Sequence, residues 1–343
     1  MSITKATEAV ESPARPPARS RVCALDPVAV ALVPVIILAG IVGTLVNSDF
    51  LTETNIVNNI ITTSAVLGMV VIAEAIILIG GYFDLSLQST VGFAPMLMAV
   101  LVSPLSSGGH ALPVVVGALV TLAAVLAIGL ANGLMVAKLK LNAFIVTLAM
   151  LILLQGLTIG ISGGQTYAQL PGVMTILGAL KIAGIPVRAW IFVISFILAY
   201  LFMRYVPTGR SIYAMGGNSD AARAAGIRTT RLTIEIIVFG SILASVAGFM
   251  LTGRIASVTA NQGNDLIFTV FAAAVIGGIS LNGGRGNLIG AGLGVLVLGI
   301  IQNILTLSNV SSFWVSAAYG AIILGALLIG WLSSNAGPRR RSA

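Results

Sequence analysis

Leu112-Pro-Val-Val-Val-Gly-Ala-Leu-Val-Thr-Leu-Ala-Ala-Val-Leu-Ala-Ile-Gly-Leu-Ala-Asn132-Gly-Leu-Met-Val-Ala137 runs without a charged residue and stops at Lys138-Leu-Lys140. A helix of a soluble domain keeps a polar face, whereas only Thr121 and Asn132 interrupt the apolar surface here. About 20 such residues cross the hydrocarbon core of a bilayer. The basic stop fits the same reading, because lysine and arginine gather on the cytoplasmic side of membrane proteins.

The rest of the chain repeats the pattern. Of 343 residues, 57% are hydrophobic and 8% charged, and the mean hydropathy is +1.06, a composition foreign to soluble domains of this length. Windows of about 20 residues predict an all-α polytopic membrane protein. Its ten spans fall at 27–46, 60–80, 85–102, 112–137, 143–161, 190–203, 232–251, 266–279, 288–306 and 313–332. Turn-forming stretches such as Asn47-Ser-Asp, Ser162-Gly-Gly-Gln-Thr and Asn282-Gly-Gly-Arg-Gly separate them.

Each added or missing span would swap the side of every later loop, so the basic residues test the count. With both termini cytoplasmic, Lys5, Arg15, Arg19, Arg21, Lys138, Lys140, Arg204, Arg210, Arg223, Arg228, Arg231, Arg285, Arg339, Arg340 and Arg341 fall inside. Only Lys181, Arg188 and Arg254 fall outside, a 15 to 3 partition of the 18 basic residues. The domain reading is a disordered cytoplasmic tail at 1–26, a transmembrane domain at 27–332 and a basic cytoplasmic tail at 333–343. A secretory signal would also put basic residues before an apolar run, but 27–46 is long for one and no small-x-small cleavage site follows.

The net charge of +8 does not point to nucleic acid, since aromatic residues are not interleaved with the basic ones. Cys23 and His110 are the only cysteine and histidine, which excludes a disulfide framework and a Cys/His metal cluster. No Gly-x-x-x-x-Gly-Lys-Ser/Thr loop and no His-Glu-x-x-His motif occurs. The chain reads as a transport subunit rather than an enzyme, one that takes its work from a partner.

Residues 204–232 carry five arginines and a helix signal: Asn218 as N-cap, Asp220 in the first turn and Gly226 as terminator. This is either a short docking peg or an ordinary solvated loop. Within the spans, Glu74 and Glu235 are the acidic residues. Glu74 reads either as a polar group on a substrate path or as a carboxyl bonded against neighbouring helices. Glu235 is placed to meet Arg231 four residues earlier. Asn132 and Asn303 sit in similar surroundings in spans four and nine, a match that suits an inverted repeat of helices 2–5 and 7–10. Both also suit simple interhelical hydrogen bonding. Gly286, Gly290, Gly292, Gly294 and Gly299 read as helix-packing residues.

Gly209-Arg-Ser-Ile-Tyr-Ala-Met-Gly-Gly-Asn218, followed by Ala221-Ala-Arg-Ala-Ala-Gly226-Ile227, resembles the cytoplasmic loop of ribose-type sugar ABC importer permeases. Gly80-Gly-Tyr-Phe-Asp84-Leu-Ser86, Asn142-Ala-Phe-Ile-Val-Thr147-Leu and Val275-Ile-Gly-Gly-Ile-Ser-Leu-Asn-Gly-Gly284 are similar to other stretches of that family. The resemblance implies a bacterial inner-membrane subunit that pairs with a second copy or a related permease. It implies two further partners: a cytoplasmic ABC ATPase, which binds ATP and magnesium, and a periplasmic or lipid-anchored sugar-binding protein. This chain itself then needs no cofactor. Gly217, Asn218, Ala221, Ala222, Arg223, Gly226 and Ile227 become the coupling helix, and Glu74, Asp84, Ser86, Gln88, Asn132 and Asn303 become pathway candidates. Two departures from the family pattern, a longer stretch after Gly68-Met69 that includes Glu74 and Gln88 in place of a glycine, leave the solute open. Nucleoside or branched-chain amino acid permeases are the nearest alternatives, and a proton-coupled secondary transporter is the alternative of another class.

Overall fold

The computed structural model describes residues 27–311, 313–315, 317–321 and 324–325. The apolar runs become α1 (Pro27–Val46), α2 (Thr62–Ile79), α3 (Ser86–Val102), α4 (Val114–Ala137), α5 (Ala143–Ser162), α7 (Val187–Tyr205), α10 (Thr229–Ile255), α11 (Leu266–Ile276) and α12 (Leu288–Leu307). Three shorter helices stand between them: α6 (Gly172–Ala179), α8 (Pro207–Gly217) and α9 (Ser219–Ala224). A π-helical turn, Asn55–Ile61, leads into α2. The sheet among the described residues is one hairpin, β1 (Lys181–Ile182) and β2 (Ile185–Pro186). Ala183 and Gly184 close it, both at positive φ, as the two-residue turn that matches strand twist requires.

Among the described residues, seven helical segments are long and apolar enough to cross a membrane, and the chain is an all-α polytopic membrane protein. Two expected spans fall below that length. α3 has 17 residues. α11 has 11 and stops at Ile276 instead of reaching 279. At 1.5 Å per residue, 11 residues cover roughly 16 Å, about half of the hydrocarbon depth. Gly277 and Gly278 end the helix, the latter at φ +82°, and the backbone continues as turns. Non-helical backbone at that depth is tolerated where protein surrounds it. The tails expected at 1–26 and 333–343 lie outside the described residues, as does much of the tenth span, whose described positions are helical.

α2 is the axis of the bundle: every residue from Ser64 to Ile79 is buried. Its all-round apolar surface, which in a lipid-facing helix would meet acyl chains, here meets α7, α10, α11 and α12. The packing has a recurring pattern. α10 lies against α3 and α4 much as α2 lies against α11 and α12, and α2 and α10 lie against each other. At the far end of α10 the loops are tied by Tyr167 and Val258, which exchange backbone hydrogen bonds of 2.9 Å.

Close backbone approach makes this packing work. A Cβ on Gly290 would lie 2.1 Å from the Gly277 oxygen, and one on Gly294 2.2 Å from the Ala273 oxygen, so α12 sits directly on α11. The glycines of α12 are thus packing residues, as their spacing predicts. Gly294→Leu should lower the thermal stability of the purified protein by about 1–3 kcal/mol, because the obstructing atom is backbone. Gly156→Leu, at a position with open space around it, is the matched control and should leave stability unchanged.

Candidate functional site

The residues singled out in the sequence fall into two regions, and a glycine contact joins them. The first region is the elbow of α8 and α9. Pro207 opens α8, and Gly209 lies so close to α7 that a Cβ would sit 2.4 Å from the Phe202 oxygen. α8 ends at Asn218, whose extended backbone (φ −160°) breaks the helix and whose Oδ1 accepts from the Ala221 N–H at 2.9 Å, capping α9. Gly226, at φ +87°, turns the chain out of α9. The N–H groups of Gly226 and Ile227 donate to the carbonyls of Arg223 and Ala222, both at 3.0 Å. The expected peg therefore exists as six helical residues, roughly 9 Å long.

Its faces differ. Gly217, Asn218, Ala221, Arg223 and Gly226 are exposed, whereas Ala222 is buried and Ile227 half-buried against the core. Ala222 is thus part of the anchor rather than of the open face. Beside the peg a cavity of about 630 Å³ runs between the end of α4 and the start of α10, with Lys138, Arg223, Arg228 and Arg231 in its walls. Arg231 and Glu235 pair at 2.7 Å as their spacing predicts. Both are largely exposed, so the pair contributes only about 0.3–0.5 kcal/mol.

Behind the elbow, three backbones meet. A Cβ on Gly216 would lie 1.9 Å from the Ile79 oxygen and 2.6 Å from the Gly284 nitrogen. A Cβ on Gly283 would lie 2.7 Å from Gly81 Cα, and the Gly284 N–H donates to the Ile79 carbonyl at 2.8 Å. The C-terminal ends of α2 and α8 and the 280–287 turn are therefore locked with no side chain between them. Gly81 is followed directly by Tyr82-Phe83-Asp84, the start of the second region.

That region is a buried polar network. Asp84 Oδ1 accepts from the Ser86 N–H at 2.9 Å and from the Ser86 hydroxyl at 2.5 Å. Asn132 of α4 donates its amide to Ser86 Oγ at 2.9 Å. Glu74 of α2 receives a long contact, 3.4 Å, from the Asp84 N–H. All four side chains are fully buried. One oxygen each of Glu74, Asp84 and Asn132 has no protein partner. Of the pathway candidates, then, Glu74, Asp84, Ser86 and Asn132 come together, and they knit α2, α3 and α4.

Gln88 and Asn303 stand apart. Gln88 Oε1 accepts from the Ile267 N–H at 3.1 Å, capping α11. It also lines a mainly apolar cavity of about 450 Å³ shared by α3, α5 and α11. Asn303 forms a two-way amide pair with Asn55, 2.8 Å in each direction, and Asn55 in turn donates to the Phe50 carbonyl at 2.9 Å. Asn132 and Asn303 thus both make interhelical hydrogen bonds, each with a different partner type.

Residues 56–332 match the family described as the branched-chain amino acid transport system / permease component. The chain belongs to that permease family. The ribose import permease protein of Haemophilus influenzae is 32% identical to it over 302 residues, covering 87% of this chain and 91% of the relative. The ribose import permease protein of Bacillus subtilis (strain 168) is 33% identical, with coverage of 84% and 88%. The L-arabinose ABC transporter permease protein of Azospirillum brasilense is 31% identical, with coverage of 82% and 80%. No solved structure gives a significant match.

Two features of the permease escape the sequence reading. Asn55 lies in a polar stretch ahead of the second span, where nothing distinguishes it from a loop residue. The lock of Gly81, Gly216, Gly283 and Gly284 joins segments up to 203 positions apart, 81 to 284, although the paired glycines in each segment are a visible signal. Ser86→Ala removes the atom that links Asp84 to Asn132, and should destabilise the permease by about 1–3 kcal/mol. In a double-mutant cycle with Asn132→Ala, equilibrium unfolding should return a coupling of about 0.5 kcal/mol or more; simple additivity would break the network.

Proposed function

We propose that this permease is the membrane subunit of an ATP-driven importer for a monosaccharide such as ribose. The observation that carries the reading is the match to ribose import permeases over most of both chains. The exposed, doubly capped α9 supports it further, since a short rigid helix outside the bundle gives a partner something to push. ATP and magnesium then belong to a cytoplasmic ATPase, and solute is delivered by a periplasmic or lipid-anchored binding protein. The permease works in a bacterial inner membrane as a pair, with a second copy or a related chain.

In this reading there are ten spans with both termini cytoplasmic, and 27–332 is one permease domain. α10 gives support: Arg231 near its start shares a cavity wall with Lys138, Arg223 and Arg228, while Arg254 lies at its opposite end. The basic end is the cytoplasmic one. Spans 2–5, which are α2 to α5, and spans 7–10, which begin with α10, form an inverted repeat, which the mirrored packing of α2 and α10 supports. Asp84 ahead of α3 and Asp265 ahead of α11 occupy matching places in the two halves.

Coupling follows from the connections. Closure of the ATPases moves α9, contacted through Asn218, Ala221, Arg223 and Gly226 and held to the bundle by Ala222 and Ile227. Gly217 and Gly216 pass the displacement to Gly81, and so to the Asp84–Ser86 corner beside Glu74 and Asn132. With backbone against backbone there is little slack to absorb it. Gln88 and Asn303 are further polar positions that line or brace the path as it opens.

Deleting residues 219–226 should abolish co-purification of the ATPase while membrane insertion persists; an ATPase that still co-purifies would remove α9 from this role. Gly216→Val should leave the ATPase attached yet stop ATP-dependent ribose uptake in proteoliposomes. Uptake driven by a proton gradient without any ATPase would instead establish the secondary-transporter alternative.

A further inference from the structure

A cavity of about 540 Å³ opens where α7 ends, α8 begins and α12 starts, walled by Tyr200, Arg204, Arg210, Tyr213 and the 286–288 turn. No acidic side chain is among its described lining residues. Arg204 lies over two aromatic rings, 5.7 Å from the Tyr200 centroid and 5.5 Å from the Tyr205 centroid, and bonds the Tyr200 hydroxyl. Tyr213 donates its hydroxyl to the Gly286 carbonyl at 3.1 Å, fixing the wall against the α12 turn.

The two arginines differ in what explains them. Arg204 is in the last turn of α7, where the helix dipole favours a cation. Arg210 is in the first turn of α8, where the dipole disfavours one, and the first turn of α12 adds a second positive end to the same cavity. Two guanidinium groups and two helix N-terminal turns on one cavity are suited to an anion. The approach to the cavity identifies its source. Val193, Ile194, Ile197, Leu198 and Leu201 form an exposed apolar stripe along α7, ending in Tyr205, which is 64% exposed. An aliphatic track that terminates in tyrosine and arginine at the end of a spanning helix matches the profile of one lipid molecule, acyl chains first and headgroup next.

We propose that this cavity binds the phosphate diester of an anionic phospholipid, in the leaflet on the α9 side, with Arg204 and Arg210 as its cationic partners. Tyr200, whose hydroxyl accepts from Arg204, has its own proton to donate, Tyr213 holds the wall, and the acyl chains run along the α7 stripe. The bound lipid bridges the end of α7 and the start of α8, the support from which α9 projects, and it is independent of the solute carried.

The test is native mass spectrometry of the complete transporter released from nanodiscs of equal phosphatidylglycerol and phosphatidylcholine. Phosphatidylglycerol should be retained preferentially. Arg204→Gln and Arg210→Gln should each lower its retention about fivefold, the worth of one basic residue at a membrane surface. The lysine variants at both positions should retain it, and Lys140→Gln, an exposed basic residue elsewhere, should not change it. Equal retention of the two lipids, or retention unaffected by both glutamine variants, overturns the proposal. Displacement of the lipid by inorganic phosphate would make the cavity a free-anion site and overturns the lipid assignment. Loss of the ATPase from the glutamine variants with lipid retention intact would assign the arginines to a protein contact, and also overturns it.

Discussion

Inside a bilayer, helices gain nothing by hiding apolar side chains from lipid, so their cohesion depends on how closely their backbones approach and on the few polar groups they share. Both terms are visible here. α12 meets α11 through Gly290 and Gly294, and α4 meets α10 through Gly129 and Gly133, whose Cβ positions would fall 2.8 Å and 3.0 Å from Val238 and Ile234 Cα. The polar term includes the Asp84–Ser86–Asn132 network, the Asn55–Asn303 pair, the Gln88 bond to α11 and the Ser89 bond to the Leu151 carbonyl of α5.

The same constraint ties the surface elbow to the interior. An ordinary loop would carry α9 on side chains, and side chains relax when pushed. At Gly216, Gly81 and Gly284 nothing but backbone is in contact, and the Gly284–Ile79 hydrogen bond of 2.8 Å fixes the register. In the proposed coupling, a displacement of α9 reaches the Asp84 corner through this contact. The family to which this chain belongs is one of permeases, and a stiff link from an exposed helix to buried polar groups is what a driven permease requires.

Much of this was legible in the sequence. Apolar length and basic loops lead to the long helices, because the bilayer imposes a requirement that every span must meet by itself. The cap residues Asn218 and Gly226 delimit α9 for an equally local reason. What the sequence hides is pairing at a distance. Asn132 and Asn303 look alike in their own helices, yet one bonds a serine on α3 and the other an asparagine in the π-helical turn before α2. Ala222 reads as one more small residue of the peg, and only its neighbours turn it inward. The C-terminal end of α11 was also concealed, since Ile279 extends the apolar run, whereas the helix stops at Gly277-Gly278, where Gly277 meets α12. The α6 segment and the following hairpin are too short to leave a periodic signal.

The brevity of α11 has a consequence for how the molecule is made. A segment of 11 residues cannot hold a transmembrane position while its two flanking turns face acyl chains. α2 and α3, against which it lies, precede it in the chain, and α12 follows. During synthesis α11 must therefore wait at the membrane surface, or in a protein-lined vestibule, until α12 emerges to close over it. The chain acquires its topology in an order set by that wait, and the last third of the permease assembles as a unit instead of helix by helix.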